Sequence, residues 1–130
     1  MKQVKAYGTQ AVSAPLEALT IHRRELRPND IQFDILYCGI CHSDLHTIRG
    51  DFGEPLFPLV PGHEILGRVT ALGADVRGFE VGELVGVGCI VGSCGQCDAC
   101  EHGLEQFCDE GVTFSFNGRD KISGGQTFGG

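Results

Sequence analysis

Four cysteines, Cys94, Cys97, Cys100 and Cys108, fall within one short stretch with the spacing C-x2-C-x2-C-x7-C. No other feature constrains the fold as strongly. Cysteines separated by two residues can turn their sulfurs toward one point, Gly95 permits the tight approach, and four thiolates at ~2.3 Å complete a closed tetrahedral zinc site. The seven cysteines of the 130-residue chain are an odd number, so a fully paired disulfide framework is excluded. Met1 to Gln10 holds two lysines and no apolar run, unlike a secretory signal. A reducing, cytoplasmic setting is therefore expected, and there clustered cysteines serve metals more often than disulfides. An iron–sulfur run also opens with two x2 gaps, but its fourth cysteine follows after three residues and precedes proline. Here the last gap is seven and Asp109 follows, so zinc fits the spacing better. A site closed by four thiolates has no position for a substrate, which makes its role structural and sends the search for chemistry elsewhere.

Ten Lys plus Arg against seventeen Asp plus Glu give a net charge of −7. Nucleic acid and anionic membranes are disfavoured as partners, since both would be repelled. No apolar run approaches the ~18 residues of a membrane helix. The length suits one domain, and 20 glycines imply many tight turns and a strand-rich fold. Val4, Ala6 and Gly8 suggest an opening strand, followed by turns around Ser13 to Pro15. Ile31, Phe33, Ile35 and Tyr37 alternate with Gln32 and Asp34 after a Pro28-Asn29-Asp30 turn, the pattern of a half-buried strand. A helical turn or two is expected over Ser43 to Ile48. An extended connector through Pro55, Pro58 and Pro61 follows, then a strand over Ile65 to Leu72. Turns around another short strand are expected between Gly73 and Gly82, and a further strand over Glu83 to Val91. After Gly111 the chain is polar and glycine-rich, and no closing strand is expected. The fold class that results is mainly β, a small barrel or sandwich with short helices.

Two short segments flank the proline connector: Cys41-His42-Ser43-Asp44-Leu45-His46 and Gly62-His63-Glu64. Cys41, His63 and Glu64 are competent zinc ligands, and a catalytic zinc needs only two or three protein ligands plus an open position. The run Gly62-His63-Glu64-x-x-Gly67-x5-Gly73-x-x-Val76 resembles the signature of the zinc-containing (medium-chain) alcohol dehydrogenases. Cys41 to His46 resembles that family's first zinc-ligand segment, and Cys94 to Cys108 resembles its structural zinc lobe. The likeness spans about Val4 to Gly130. Within it, Val87 to Cys94 and Cys41 to His46 are similar to the cinnamyl-alcohol-dehydrogenase-like branch.

The resemblance implies a GroES-like barrel over 1–130 carrying a zinc lobe over 89–110. It also implies a zinc-dependent, NADP- or NAD-linked activity that interconverts alcohols and aldehydes, with a homodimer in the full-length relative. By the same likeness Cys41 and His63 would hold the catalytic zinc, with Glu64 behind it and able to exchange with water. Asp44 would orient His63 by accepting its other ring N–H. Ser43 would take the substrate's proton and pass it by way of the cofactor ribose to His46, and His42 would face the cofactor pyrophosphate. Cys94, Cys97, Cys100 and Cys108 would hold the structural zinc. Cys38 and Cys89 match no ligand and are expected as buried thiols. His22 and His102 are expected at the surface. Phe52 and Phe57 are equally readable as lining for a bulky aldehyde or as core.

Members of the family carry a Rossmann half with G-x-G-x-x-G after a strand, and a further cysteine ligand downstream of the lobe. Neither has a candidate among these residues. The expectation is a catalytic domain cut before its last strands and inactive alone. The alternative is a stand-alone zinc-binding scaffold or interaction module.

Overall fold

The computed structural model describes residues 1–130. Its strands form three short antiparallel sheets. β1 (Lys2–Gly8) pairs with β2 (Glu17–Arg23) from Lys2 opposite Arg23 to Gly8 opposite Glu17. The turn-rich Ser13 to Pro15 passage lies in the connecting loop, where the Thr9 hydroxyl donates to the Ala11 carbonyl at 2.9 Å. β3 (Ile31–Gly39), β4 (Glu64–Leu72) and β5 (Leu84–Val87) form the second sheet in that order. β6 (Ile90–Gly92) and β7 (Thr113–Phe114) form the third. Two short helices complete the chain, α1 (His42–Arg49) and α2 (Asp98–Glu101). The mainly β fold with short helices is as expected from the sequence.

The core draws on β2, the proline connector, β4 and the tail. Ile21, Leu59, Val60, Ile65, Val69 and Phe116 are buried there. Thr9 and Leu59 exchange backbone hydrogen bonds at 2.8 Å in each direction, which ties the first sheet to the connector. The connector is therefore part of the core through Leu59 and Val60.

The clean alternation belongs to β4, where Ile65, Gly67 and Val69 are buried and Glu64, Leu66 and Arg68 exposed. β3 departs from the half-buried reading. Ile35 pairs with Gly67 and Tyr37 with Leu66, which leaves Leu36 as an extra residue. A bulge of this kind moves the side chains beyond it to the other face; Leu36 and Tyr37 are exposed, and so is Ile35 just ahead of it.

Three further expectations are corrected. Gly73 to Gly82 contains turns and no strand. The single strand expected over Glu83 to Val91 is two, broken at Gly88 and Cys89 before β6 turns to a different partner. The tail after Gly111 does contribute a strand, β7, and an isolated bridge between Arg119 and Gln126. No helix is long and apolar enough to cross a membrane.

Candidate metal centres

The lobe is built almost wholly from local chain. Cys97 is the N-cap of α2, Cys100 lies within the helix, and Cys108 ends the 3-10 turn Glu105–Phe107. The four Sγ atoms lie within 4.8 Å of one another, and Cys94 and Cys100 approach to 3.9 Å. A tetrahedron with ~2.3 Å bonds has edges of about 3.8 Å, so the donor set fits zinc. Backbone donors prepare the sulfurs for negative charge. The Cys97 amide donates to Cys94 Sγ at 3.3 Å, the Gln96 amide to the same atom at 3.5 Å, and the Cys94 amide to Cys108 Sγ at 3.3 Å. The amides of Asp109 and Cys100 help to bring the Cys97 thiol down to about 7. Against the pull of the Gln96 amide, desolvation and the neighbouring Cys108 and Cys97 thiols push Cys94 up to about 11. Four thiolates this close repel one another, and a divalent cation removes the conflict.

The second centre draws on two distant segments. Cys41 caps α1, in an extended conformation with φ −104° and ψ 154°. His63 and Glu64 lie where the connector enters β4. The donor atoms of Cys41, His63 and Glu64 lie within 4.8 Å of one another, which suits three protein ligands and an open position. Glu64, expected behind the metal, has its carboxylate in the cluster itself.

Asp44 joins the two segments. Its Oδ2 accepts from the Cys41 amide at 2.8 Å, the reach of an N3 acid back to the N-cap. Its Oδ1 accepts from the Gly62 amide at 3.0 Å and lies 3.3 Å from His63 Nδ1. With Nδ1 turned to Asp44, Nε2 is the ring nitrogen left for a metal. Asp44 is buried, so one carboxylate fixes both ligand segments away from water. Gly62 has φ +112° and packs against Cys38 and Gly130, a turn that a larger residue would strain.

Ser43 donates its hydroxyl to Cys41 Sγ at 3.3 Å. This contact, with the Ser43 amide and His63, draws the Cys41 thiol below its ordinary range. His46 lies next on the same helix. Its Nδ1 meets Asp51 Oδ2 at 2.7 Å, and its ring lies 4.8 Å from His42 and 5.3 Å from Phe52. Phe52 is exposed beside His46 and Phe57 is half-buried, so Phe52 is not core. Cys38 is half-buried, but Cys89 is exposed, because the break between β5 and β6 carries it outward. His22 and His102 are at the surface.

Two neighbours of the site escape sequence reasoning. Asp51 lies beyond the end of α1, and Phe116, which stacks on His63 at 5.7 Å, is far away in the chain with no periodic signal to mark it.

The family model described as "Alcohol dehydrogenase GroES-like domain" matches residues 27–129. The chain belongs to that family. It is 48% identical over 128 residues to the aldehyde reductase YahK of Escherichia coli, covering 98% of this chain and 36% of that protein. It is 47% identical over 117 residues to the NADP-dependent alcohol dehydrogenase C of Mycobacterium tuberculosis, covering 90% and 34%. Among solved structures, a cinnamyl alcohol dehydrogenase from Sorghum bicolor superposes with a TM-score of 0.93 at 36% identity, covering 98% of this chain and 36% of that one. The chain thus spans little more than a third of the length of the relatives it matches.

Proposed function

We propose that this alcohol dehydrogenase GroES-like domain is the zinc-binding part of an NADP-linked oxidoreductase that interconverts primary alcohols and aldehydes. The single observation that carries the reading is the convergence of Cys41, His63 and Glu64, the first two tied together by Asp44. Three donors of different chemistry with an open side suit a reactive centre, whereas the four-cysteine lobe suits a structural one. The proposed complement is one zinc in each centre. When bound, zinc supplies Lewis acidity toward an alcohol or carbonyl oxygen, and the nicotinamide gives or takes the hydride.

The chain's own residues then have separable tasks. Cys41 and His63 hold the metal, and Asp44 fixes the His63 tautomer and the Cys41 backbone together. Ser43, whose hydroxyl already points at Cys41 Sγ, would accept the substrate's proton while giving up its own toward His46. His46, part-exposed and paired with Asp51, would take up that proton and release it to water. Exposed His42 would face the cofactor phosphates. Phe52, beside His46, offers an apolar wall to an aryl aldehyde. The functional enzyme is a cytoplasmic homodimer.

These 130 residues contain no G-x-G-x-x-G, so the purified chain is expected to leave NADPH and benzaldehyde unchanged. The decisive test replaces the matching N-terminal part of the E. coli aldehyde reductase with residues 1–130. The chimera should oxidise NADPH in the presence of benzaldehyde, and Cys41→Ser should abolish that turnover. A folded, zinc-loaded chimera without activity would contradict the proposal. An interaction-module reading accounts for the exposed Ile35, Leu36 and Tyr37 but gives Cys41, His63 and Glu64 no role.

A further inference from the structure

Glu64 is exposed, so burial does not hold its carboxylate beside Cys41 and His63. The register of the sheet supplies another cause. Gly39, the last residue of β3, is the cross-strand partner of Glu64, the first residue of β4. A Cβ built on Gly39 would stand 2.3 Å from Glu64 Oε2, 3.1 Å from its Cβ and 3.3 Å from its Cδ. The Glu64 side chain therefore lies folded across the bare Cα of Gly39, on the path to Cys41 two residues further on.

Glycine is disfavoured within strands, and its presence there marks a close approach of another group. The Gly39 backbone does not lie in the left-handed region, so what glycine supplies is space and not conformational freedom. The atom that a new Cβ would strike first is the free end of a flexible side chain. The least costly response to any side chain at position 39 is to turn the Glu64 carboxylate away from the centre.

We propose that Gly39 is the positioning residue that aims Glu64 into the metal centre, making the carboxylate a standing third donor. This rests on the reading of Cys41, His63 and Glu64 as one centre, and the test separates the two. In the 130-residue chain with zinc in the lobe, Co2+ is titrated into the second centre against a competing chelator and followed by visible absorption. Gly39→Ala should weaken Co2+ binding about 10- to 100-fold, the usual cost of losing support around a ligand, and Glu64→Gln at least as much. The double variant should fall no further than Glu64→Gln alone, since one residue acts through the other. Losses that add in the double variant would overturn the proposal, because Gly39 would then act through the strand. Unchanged affinity in Glu64→Gln, with uptake lost in Cys41→Ser, would overturn the aiming and leave the centre intact. Unchanged uptake in Cys41→Ser would overturn both. Should Gly39→Ala fail to fold, adding Glu64→Ala removes the obstructing carboxylate and is expected to restore the fold. A double variant that stays unfolded would contradict the contact.

Discussion

The two metal centres solve the same problem in opposite ways. The lobe gathers four identical donors from one stretch, 94–108, with its sulfurs already receiving backbone N–H groups. The second centre gathers three different donors from segments separated by the proline connector, and a buried aspartate holds those segments together. A closed set of like donors gives affinity and order with no free position. A mixed, partly exposed set gives an open position, at the expense of tight binding. On the proposed function, the contrast would let one small domain keep a structural metal and a reactive one apart.

The sharpest way to break this comparison is to open the lobe. Cys100 is buried, and structural zinc in small peptides is worth about 10–16 kcal/mol. Cys100→Ser should therefore lose the lobe zinc and the order of 94–108, seen as new protease cleavage there, while the second centre still takes up metal. Full retention of lobe zinc would show that three thiolates suffice.

Cys41→Ser should have a narrower effect. Metal at the second centre should be lost, with lobe zinc and the midpoint of denaturant unfolding unchanged. A large fall in stability would mean that the second centre is also structural.

Asp44→Asn comes next. An amide at this position can no longer accept from both the Cys41 and Gly62 N–H groups as well as His63. Lost hydrogen bonds to a charged group cost ~1.5–3 kcal/mol, and second-centre affinity should fall about 10- to 100-fold, both with the lobe unaffected. Denaturant unfolding and chelator competition measure the two effects.

The smallest effect lies away from both centres. Asp120 pairs with Arg27 and accepts from the Ser123 hydroxyl at 2.6 Å. Arg27 first, then Ser123, hold its carboxyl well below the usual range. The stabilisation is complete above the unfolded Asp value of ~3.9 and is lost as pH falls from there toward the lower folded value. The pair is partly exposed, so Asp120→Asn should cost only ~0–1 kcal/mol at neutral pH. That difference should vanish in acid, and denaturant midpoints across the acid range would show it.

The lobe was legible in the sequence because its geometry is local: cysteine spacing and α2 determine it together. Cys41, His63 and Glu64 were legible as ligand types, and their meeting followed from a resemblance rather than from periodicity. What sequence could not supply was long-range register. Leu36 looks like any apolar strand residue until its pairing shows it to be a bulge. The Gly39–Glu64 pairing and the Phe116 ring on His63 depend on segments brought together only by folding, and the Asp51 contact to His46, though local, has no periodic signal. The tail after Gly111 carries a weak strand signal, and β7 forms because β6 offers it an edge.

The claim that one centre is closed and the other open is tested most directly by counting zinc. Elemental analysis of the zinc-loaded chain, before and after a mild chelator, should give two equivalents and then one, with the survivor lost in Cys100→Ser but not in Cys41→Ser. Two zincs that resist the chelator equally, or a survivor that depends on Cys41, would contradict it.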